Sequence, residues 1–348
     1  MISLKTLNTP IVSIIMATFN RAHLIIYTLN SIKNQTYQSF ECLIIDDGGQ
    51  DHTKTVVEEF ISEDKRFSYA VRPDKYKKGL PGCRNYGLDI CNGDYVIFFD
   101  DDDLVHPENL NFCFNQINKF KLDFVKYNFL NFRSSYNVIF KEIDYFELEI
   151  INHDSLEKII KREINLISCS IMFRKHILRE HRFNEQICFA EELEFFVRIL
   201  LHSNFRGGVT SNNLYFARKQ KDSMTGDFLS GKSESLQCYS FSIAETINNL
   251  KSKKRLTFSL KKYLLNEIFM HADKVTFNNV LISLAGNDFQ RSFWQFYFFI
   301  YPLRLIFFKL KLKKMIARII SLVSIPGLLK LFTFINCFAL LESIITLF

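Results

Sequence analysis

With 348 residues, 48% of them hydrophobic and 37 of them Phe, the chain can bury a sizeable core, as one large domain or a domain with an appendage. The net charge of +7 gathers late, at Lys309, Lys311, Lys313, Lys314 and Arg318 beside apolar runs. That suits an anionic membrane surface, and no repeated aromatic and basic groove pattern supports a nucleic-acid partner. The eight Cys form no C-x-x-C pair, and Cys42, Cys113 and Cys169 sit in apolar runs. They are expected to be reduced, packed thiols of a cytosolic protein. The apolar piece at 11–17 is short and runs into a polar turn, so no signal peptide is expected.

The first half alternates strand and helix. Residues 11–18 (IVSIIMAT) predict a buried strand, 21–34 a helix, 40–45 a second strand closing in Asp46-Asp47-Gly48-Gly49, and 53–61 a helix capped by Asp51 or Thr53. A short strand at 67–71 precedes a loop with Lys77, Lys78, Gly79 and Gly82, then a helix over 81–91. Residues 93–107, GDYVIFFDDDDLVHP, hold an unbroken run of β-formers that ends in Asp100, Asp101, Asp102 and Asp103. A helix at 107–120 and a strand at 124–129 continue the alternation. Short links between such elements mean a mostly parallel sheet covered on both faces. Further on come a strand near 167–173, a short helix at 175–180, an amphipathic helix at 190–201, a strand at 213–217, a polar loop at 226–231 and helices at 233–251 and 256–272. Three apolar blocks at 293–308, 315–329 and 331–348 make up the tail, with Trp294 as an interface anchor. Helices in the membrane interface, a true span and plain core packing all fit them, and the basic segment 309–318 favours the first.

Four adjacent carboxylates at the mouth of a buried strand repel one another. A hard cation, Mg²⁺ or Mn²⁺, would relieve that, and a solvated acidic turn is the other reading. In a doubly wound sheet the clusters at residues 18–21, 46–47 and 100–103 would line one crevice. A carboxylate after the second strand can meet a ribose or a base, and the 79–84 loop before a helix can meet a diphosphate. No G-x-G-x-x-G is present, and the single G-x-x-x-x-G-K, residues 226–232, does not directly follow a predicted strand; both argue against ATPase and dinucleotide chemistry.

The strings ATFNR (17–21), DDGGQDHT (46–53), GLPGCRNYGL (79–88), GDYVIFFDDDDLVHP and FAEELEFFVRI resemble, in order and spacing, the inverting family-2 glycosyltransferases. The resemblance spans residues 10–225. It implies an α/β GT-A (Rossmann-like) fold, a mostly parallel sheet flanked by helices, here with a helical C-terminal extension. Thr18, Asn20 and Arg21 would then border the nucleotide, Asp47 the base or ribose, and Arg84 the diphosphate. Asp102 would be the direct ligand of Mn²⁺ or Mg²⁺, with Asp100 at the ribose and the metal, Asp103 an orienting group and Asp101 a bystander. The family's helix places a carboxylate before the acceptor, usually Asp in a Glu-Asp pair. Here the pair is Glu191-Glu192, with Arg198 matching the helix's Arg. Glu192 takes the base position one methylene too long, Glu191 is the second candidate, and an acidic first turn that stabilises the helix dipole is the plain reading. Residues 218–225 resemble a loop that closes over the donor and would bring Arg218 or Lys219 to the diphosphate, although a solvated surface loop fits as well. His23, His106 and His202 read as packing groups.

The implied organisation is a catalytic domain over residues 1–228, a helical extension over 229–290 and a membrane-associating tail over 291–348. The implied activity is transfer of a sugar from a nucleotide-diphosphate donor, a UDP-sugar first, to a glycan or lipid-linked acceptor at the inner face of the cytoplasmic membrane, in surface-polysaccharide synthesis such as capsule or O-antigen. A catalytically inactive nucleotide-sugar-binding scaffold is the alternative, made conceivable by Glu at position 192. A nucleotidyltransferase would want a Gly-rich loop after the first strand, which ATFNR lacks.

Overall fold

The apolar runs of the first hundred residues become the centre of a sheet. In the computed structural model β1 (Val12–Thr18) leads to α1 (Ile25–Lys33), β2 (Phe40–Asp46), α2 (Thr53–Glu63), β3 (Phe67–Val71), α3 (Leu80–Ile90) and β4 (Tyr95–Asp100). A two-residue strand, β5 (Leu104–Val105), follows at once, then α4 (Asn109–Phe120), β6 (Phe124–Phe132), β7 (Glu149–Ile151), α5 (Leu156–Ile160), β8 (Ile171–Arg174) and α6 (Lys175–Leu178). After these come α7 (Glu191–His202), β9 (Gly207–Arg218), α8 (Met224–Leu229), α9 (Ser233–Ser252) and α10 (Phe258–His271). The structure describes residues 12–133, 138–202, 204–219 and 224–271, with 277, 280, 281 and 284. The expected tail at 293–348, Trp294 and the middle of the expected donor loop, 220–223, lie outside the described residues.

The described strands pair in the order β3-β2-β1-β4-β8-β6-β9-β5, with β7 also on β9. β1, β2, β3 and β4 are mutually parallel, and β8 enters antiparallel between β4 and β6. Successive strand residues point to opposite faces, and both faces are covered. Val12, Ile14 and Met16 of β1 share one apolar cluster with Leu29 of α1, Val57 of α2 and Phe112 of α4. Ile15 faces the other side, where a Cβ on Gly87 would stand 2.4 Å from Ile Cγ2. Gly87 therefore sets how closely α3 can lie on the sheet.

The later half departs from expectation in several places. The strand expected near 167–173 is a 3₁₀ turn, Ser168–Ser170, followed by the short β8. The polar loop expected at 226–231 begins instead as helix α8, whose Phe228 ring stacks on Phe189 at 4.9 Å. That contact overrides the weak helix preference of Gly226. Cys188 and Cys238 form a disulfide, correcting the expectation of reduced thiols for these two. Fifty residues apart in sequence, they meet with Cα atoms 5.6 Å apart because α9 packs on α7. Cys42, Cys83, Cys91, Cys113 and Cys169 are free and buried as expected. The chain divides into one unit ending at Phe277 and a second beginning at Asn278.

Candidate active site

Parallel register brings the polar clusters to one edge: Thr18 pairs with Asp46, and Ala17 with Asp100. The turn after β1 is pinned by Asn20, which holds the left-handed conformation (φ 55°) that Asn tolerates. Its Oδ1 accepts from the backbone N–H of Gln50 and Asp51 at 2.8 and 3.3 Å. A Cβ on Gly49 would stand 3.0 Å from that oxygen and 3.1 Å from the Asn20 N, so a side chain there would push the two turns apart by a few tenths of an ångström. The Arg21 N–H donates to Thr53 Oγ1 at 2.8 Å, while its guanidinium meets Asp101 at 3.3 Å. Thr18 is buried, and its carbonyl accepts from the Asp47 N–H at 2.9 Å.

Asp47 is more firmly held than its sequence context suggested. Its Oδ1 accepts from Arg72 Nε at 2.6 Å and from the Gly79 N–H at 3.1 Å, tying β2 to the loop before α3. Sequence reading missed Arg72, since only the pairing of β2 with β3 brings it beside Asp47.

Arg84 differs most from expectation. Its guanidinium is buried between the Phe98 and Phe183 rings, with centroids 5.6 and 5.4 Å away. It donates to Glu191 Oε1 at 2.9 Å and to Asp100 Oδ1 at 3.3 Å, and it stands 3.6 Å from Glu192 Oε1. One cation from α3 thus links the end of β4 to the start of α7. Glu192 Oε1 also accepts from the Ser168 N–H at 2.7 Å, so the 3₁₀ turn orients it. The Glu191 side chain is 6% exposed and that of Glu192 22%. Arg198 pairs with Glu194 at 2.6 Å.

At the end of β4 the chain crosses from Asp100 to β5, which pairs with β9. Tyr215 Oη accepts from the Asp100 N–H at 3.0 Å, and its ring stacks on Phe99. The Arg218 N–H donates to Asp103 Oδ1 at 2.6 Å, and its Nε to the Asp102 carbonyl at 2.8 Å. Asp103 is thus a loop-orienting group in this geometry. Burial pushes the Asp101 carboxyl up to about 7, although the Thr18 hydroxyl and the Arg21 charge pull it down. Burial, then the charge of Asp100, raises Asp102, and the same causes with the charge of Asp102 raise Asp103 further. This crowding is relieved by positive charge at the turn. Among the described residues no three His, Cys, Asp or Glu side chains converge into a metal cage. Mg²⁺-type ions need no such cage, since one or two carboxylates and substrate phosphates suffice. The donor set fits a hard cation.

Arg84, Asp100, Glu191 and Glu192 line one cavity of about 460 Å³, which extends along α5, α7, α8 and α9. Asp47 and Asn20 sit on the neighbouring strand ends. His106 is a packing group as expected, its Nε2 facing the Lys141 carbonyl at 3.0 Å.

Burial pushes the Glu191 carboxyl up to about 7 from 4.5, against the pull of Arg84, a guanidinium shared among three carboxylates. Between those values the folded chain holds a proton that the unfolded chain has released, so stability falls as pH rises from 4.5 through about 7. Asp101 adds to the same trend. Urea unfolding across this range is expected to show the decline, and Glu191→Gln to remove part of it. Equal slopes for the two proteins would contradict the assignment.

The profile of glycosyl transferase family 2 matches residues 13–182. The GalNAc(5)-diNAcBac-PP-undecaprenol beta-1,3-glucosyltransferase of Campylobacter jejuni is 40% identical over 94 residues, 27% of this chain and 30% of that enzyme. Residues 1–349 of S. aureus TarS, solved with UDP-GlcNAc, superpose with a TM-score of 0.59 at 21% identity, over 78% of this chain and 79% of that one. The mannosyltransferase PcManGT of Pyrobaculum calidifontis, solved with GDP-Man and Mn²⁺, gives 0.51 at 14% identity over 82% and 83%. The strand-end clusters and the four aspartates thus stand in a sheet domain that belongs to the family-2 glycosyltransferases and has their GT-A fold, with the glutamate pair just beyond the matched residues.

Proposed function

We propose that this chain is a metal-dependent, inverting glycosyltransferase using a nucleotide-diphosphate sugar, a UDP-sugar first, and a hydroxyl of a glycan or lipid-linked acceptor. The observation that carries the reading is the single cavity shared by Asp100, Arg84 and Glu192. It sets a donor-side carboxylate and a base of fitting type in one enclosure. Relatives that act on or bind UDP-GlcNAc, GDP-Man and a PP-undecaprenol acceptor support the substrate classes.

In this reading Thr18, Asn20 and Arg21 border the nucleotide and Asp47, braced by Arg72, receives its base or ribose. Asp102, with Asp100, would hold Mn²⁺ or Mg²⁺, which when bound offsets charge on the departing diphosphate. Glu192, oriented by the Ser168 N–H, removes the acceptor hydroxyl proton at its free carboxylate oxygen. The acceptor oxygen attacks the anomeric carbon opposite the leaving group, so one displacement inverts the configuration. Glu191 is too buried and too closely tied to Arg84 to meet the acceptor, and it serves as a positioning residue. Arg84 acts with it, holding the pair rather than clamping the diphosphate.

Glu192→Gln is expected to lower turnover by about 10²–10⁴-fold with donor affinity kept. EDTA is expected to abolish transfer, and Mn²⁺ to restore it. An unchanged rate in the variant, or full activity in EDTA, would overturn the base or the metal assignment respectively. Placement at the inner membrane face, in surface-glycan assembly, rests on the apolar blocks and basic segment of residues 293–348. Among the described residues no helix is long and apolar enough to cross a membrane. Removing residues 293–348 is expected to shift the protein out of the membrane fraction, and unaltered fractionation would contradict the placement.

A further inference from the structure

A second chamber, of about 480 Å³, lies next to the cleft without belonging to it. The wall between the two is the stretch after α5: Arg162 and Leu166 line the cleft, Glu163 and Ile164 line the second chamber, and Asn165 lines both. An irregularity of the sheet makes room for it. Lys126 of β6 pairs with Val209 of β9 and Asn128 with Asn213, so residues 210–212 stand opposite Tyr127 alone and bulge out of the ladder. Val125 and Tyr127 enter the core with Phe112 of α4, which turns Lys126 to the other face. There Lys126 is only 8% exposed, and its Nζ donates to Asn128 Oδ1 at 2.6 Å. Burial alone holds the ammonium below the ordinary lysine range, with no carboxylate near enough to oppose it. Glu147, Glu149 and Glu163 line other parts of the chamber, and Glu147 accepts from the Ser211 hydroxyl.

An ammonium carries three donors and a charge that one neutral amide cannot balance, and burying it without a counter-ion is costly. An anionic group is therefore favoured beside it. A multiply charged phosphate would meet the repulsion of three glutamates, and an ion as small as acetate would fill little of the space. The glutamates and Asn165 suit hydroxyls instead, since hydroxyls donate to carboxylates and exchange hydrogen bonds with amides. One carboxylate and several hydroxyls on a single ring describe a hexuronic acid. We propose that this chamber is a second saccharide subsite, outside the cleft, that takes a hexuronic acid residue: Lys126 pairs with its carboxylate, and Asn165, Glu163 and Ser211 meet its hydroxyls. Because Asn165 also lines the cleft, the sugar held here lies further along the glycan than the hydroxyl that reacts. The proposal rests on the glycosyltransferase reading above for its saccharide, and it adds an acidic sugar to what that reading says of the acceptor.

Methyl β-D-glucuronide is the probe, titrated into the full chain beside methyl β-D-glucoside, acetate and inorganic phosphate. UDP with Mn²⁺ is titrated in parallel. The glucuronide is expected to bind at least about tenfold tighter than the other three. Lys126→Met replaces a buried charge by an apolar chain of similar length. It is expected to lose about tenfold or more of the glucuronide affinity while keeping UDP affinity and thermal midpoint. Asn165→Asp, at an exposed position, sets a like charge on the chamber wall and is expected to weaken the glucuronide more than the glucoside. It decides the matter should Lys126→Met not fold. Glucuronide affinity kept in Lys126→Met, phosphate bound as tightly as the glucuronide, or equal losses for the two glycosides in Asn165→Asp would each overturn the subsite. UDP binding without glucuronide binding removes the subsite alone. Glucuronide binding without UDP binding keeps the subsite and overturns the reading it rests on.

Discussion

A buried guanidinium must find negative charge, and Arg84 finds it on three sides. Taking a charge out of water costs several kcal/mol, returned only by well-placed partners. Here the partners come from opposite ends of the cleft, Asp100 from β4 and Glu191 with Glu192 from α7. The Phe98 and Phe183 rings cover the guanidinium faces, keeping water out and strengthening the pairing. The β4 edge and the α7 edge of the cleft are therefore not independently placed. A shift of α7 would strand a charge in the interior, so the spacing between the aspartates and the glutamates is set by electrostatics as well as by packing.

The second constraint is the parallel register of β1, β2 and β4. Side by side, these strands end in Thr18, Asp46 and Asp100, and the turns that follow are cross-braced by Asn20 and by the Asp47–Arg72 pair. Most polar atoms at this edge are already spent on holding turns. The carboxylates of Asp101, Asp102 and Asp103 are crowded as well as engaged, their ionisation opposed by burial and by neighbouring carboxylates. Such a site resists charging alone and welcomes positive charge, the condition a diphosphate-bearing donor with its cation would meet.

The parts legible in the sequence were those with local signals. The strands β1, β2 and β4 show as apolar runs because both their faces are buried, and the acidic clusters mark their ends. Long-range contacts left no such trace. Nothing near Arg84 announces that its partner is Glu191, 107 residues on, so proximity to the Gly79 loop pointed to a diphosphate instead. Arg72 and Tyr215 reach the site only through strand pairing, and Cys188 meets Cys238 only because α9 packs on α7. The bulges between Lys126 and Phe129 let β9 run twelve residues along β6, where periodicity indicated five. The stack of Phe189 on Phe228 likewise joins separate segments, the second of which read as a polar loop.

The claim on which the rest depends is that Arg84 is held by the charge of Glu191 rather than by packing alone. A double-mutant cycle on stability, Arg84→Gln with Glu191→Gln by urea unfolding at pH 8, tests it directly. Arg84→Gln alone strands a buried carboxylate and is expected to cost about 3–5 kcal/mol. Adding Glu191→Gln is expected to recover part of that loss, so that the double variant is more stable than Arg84→Gln. If the two losses simply add, within about 0.5 kcal/mol, the pair is not coupled and the account of the cleft fails.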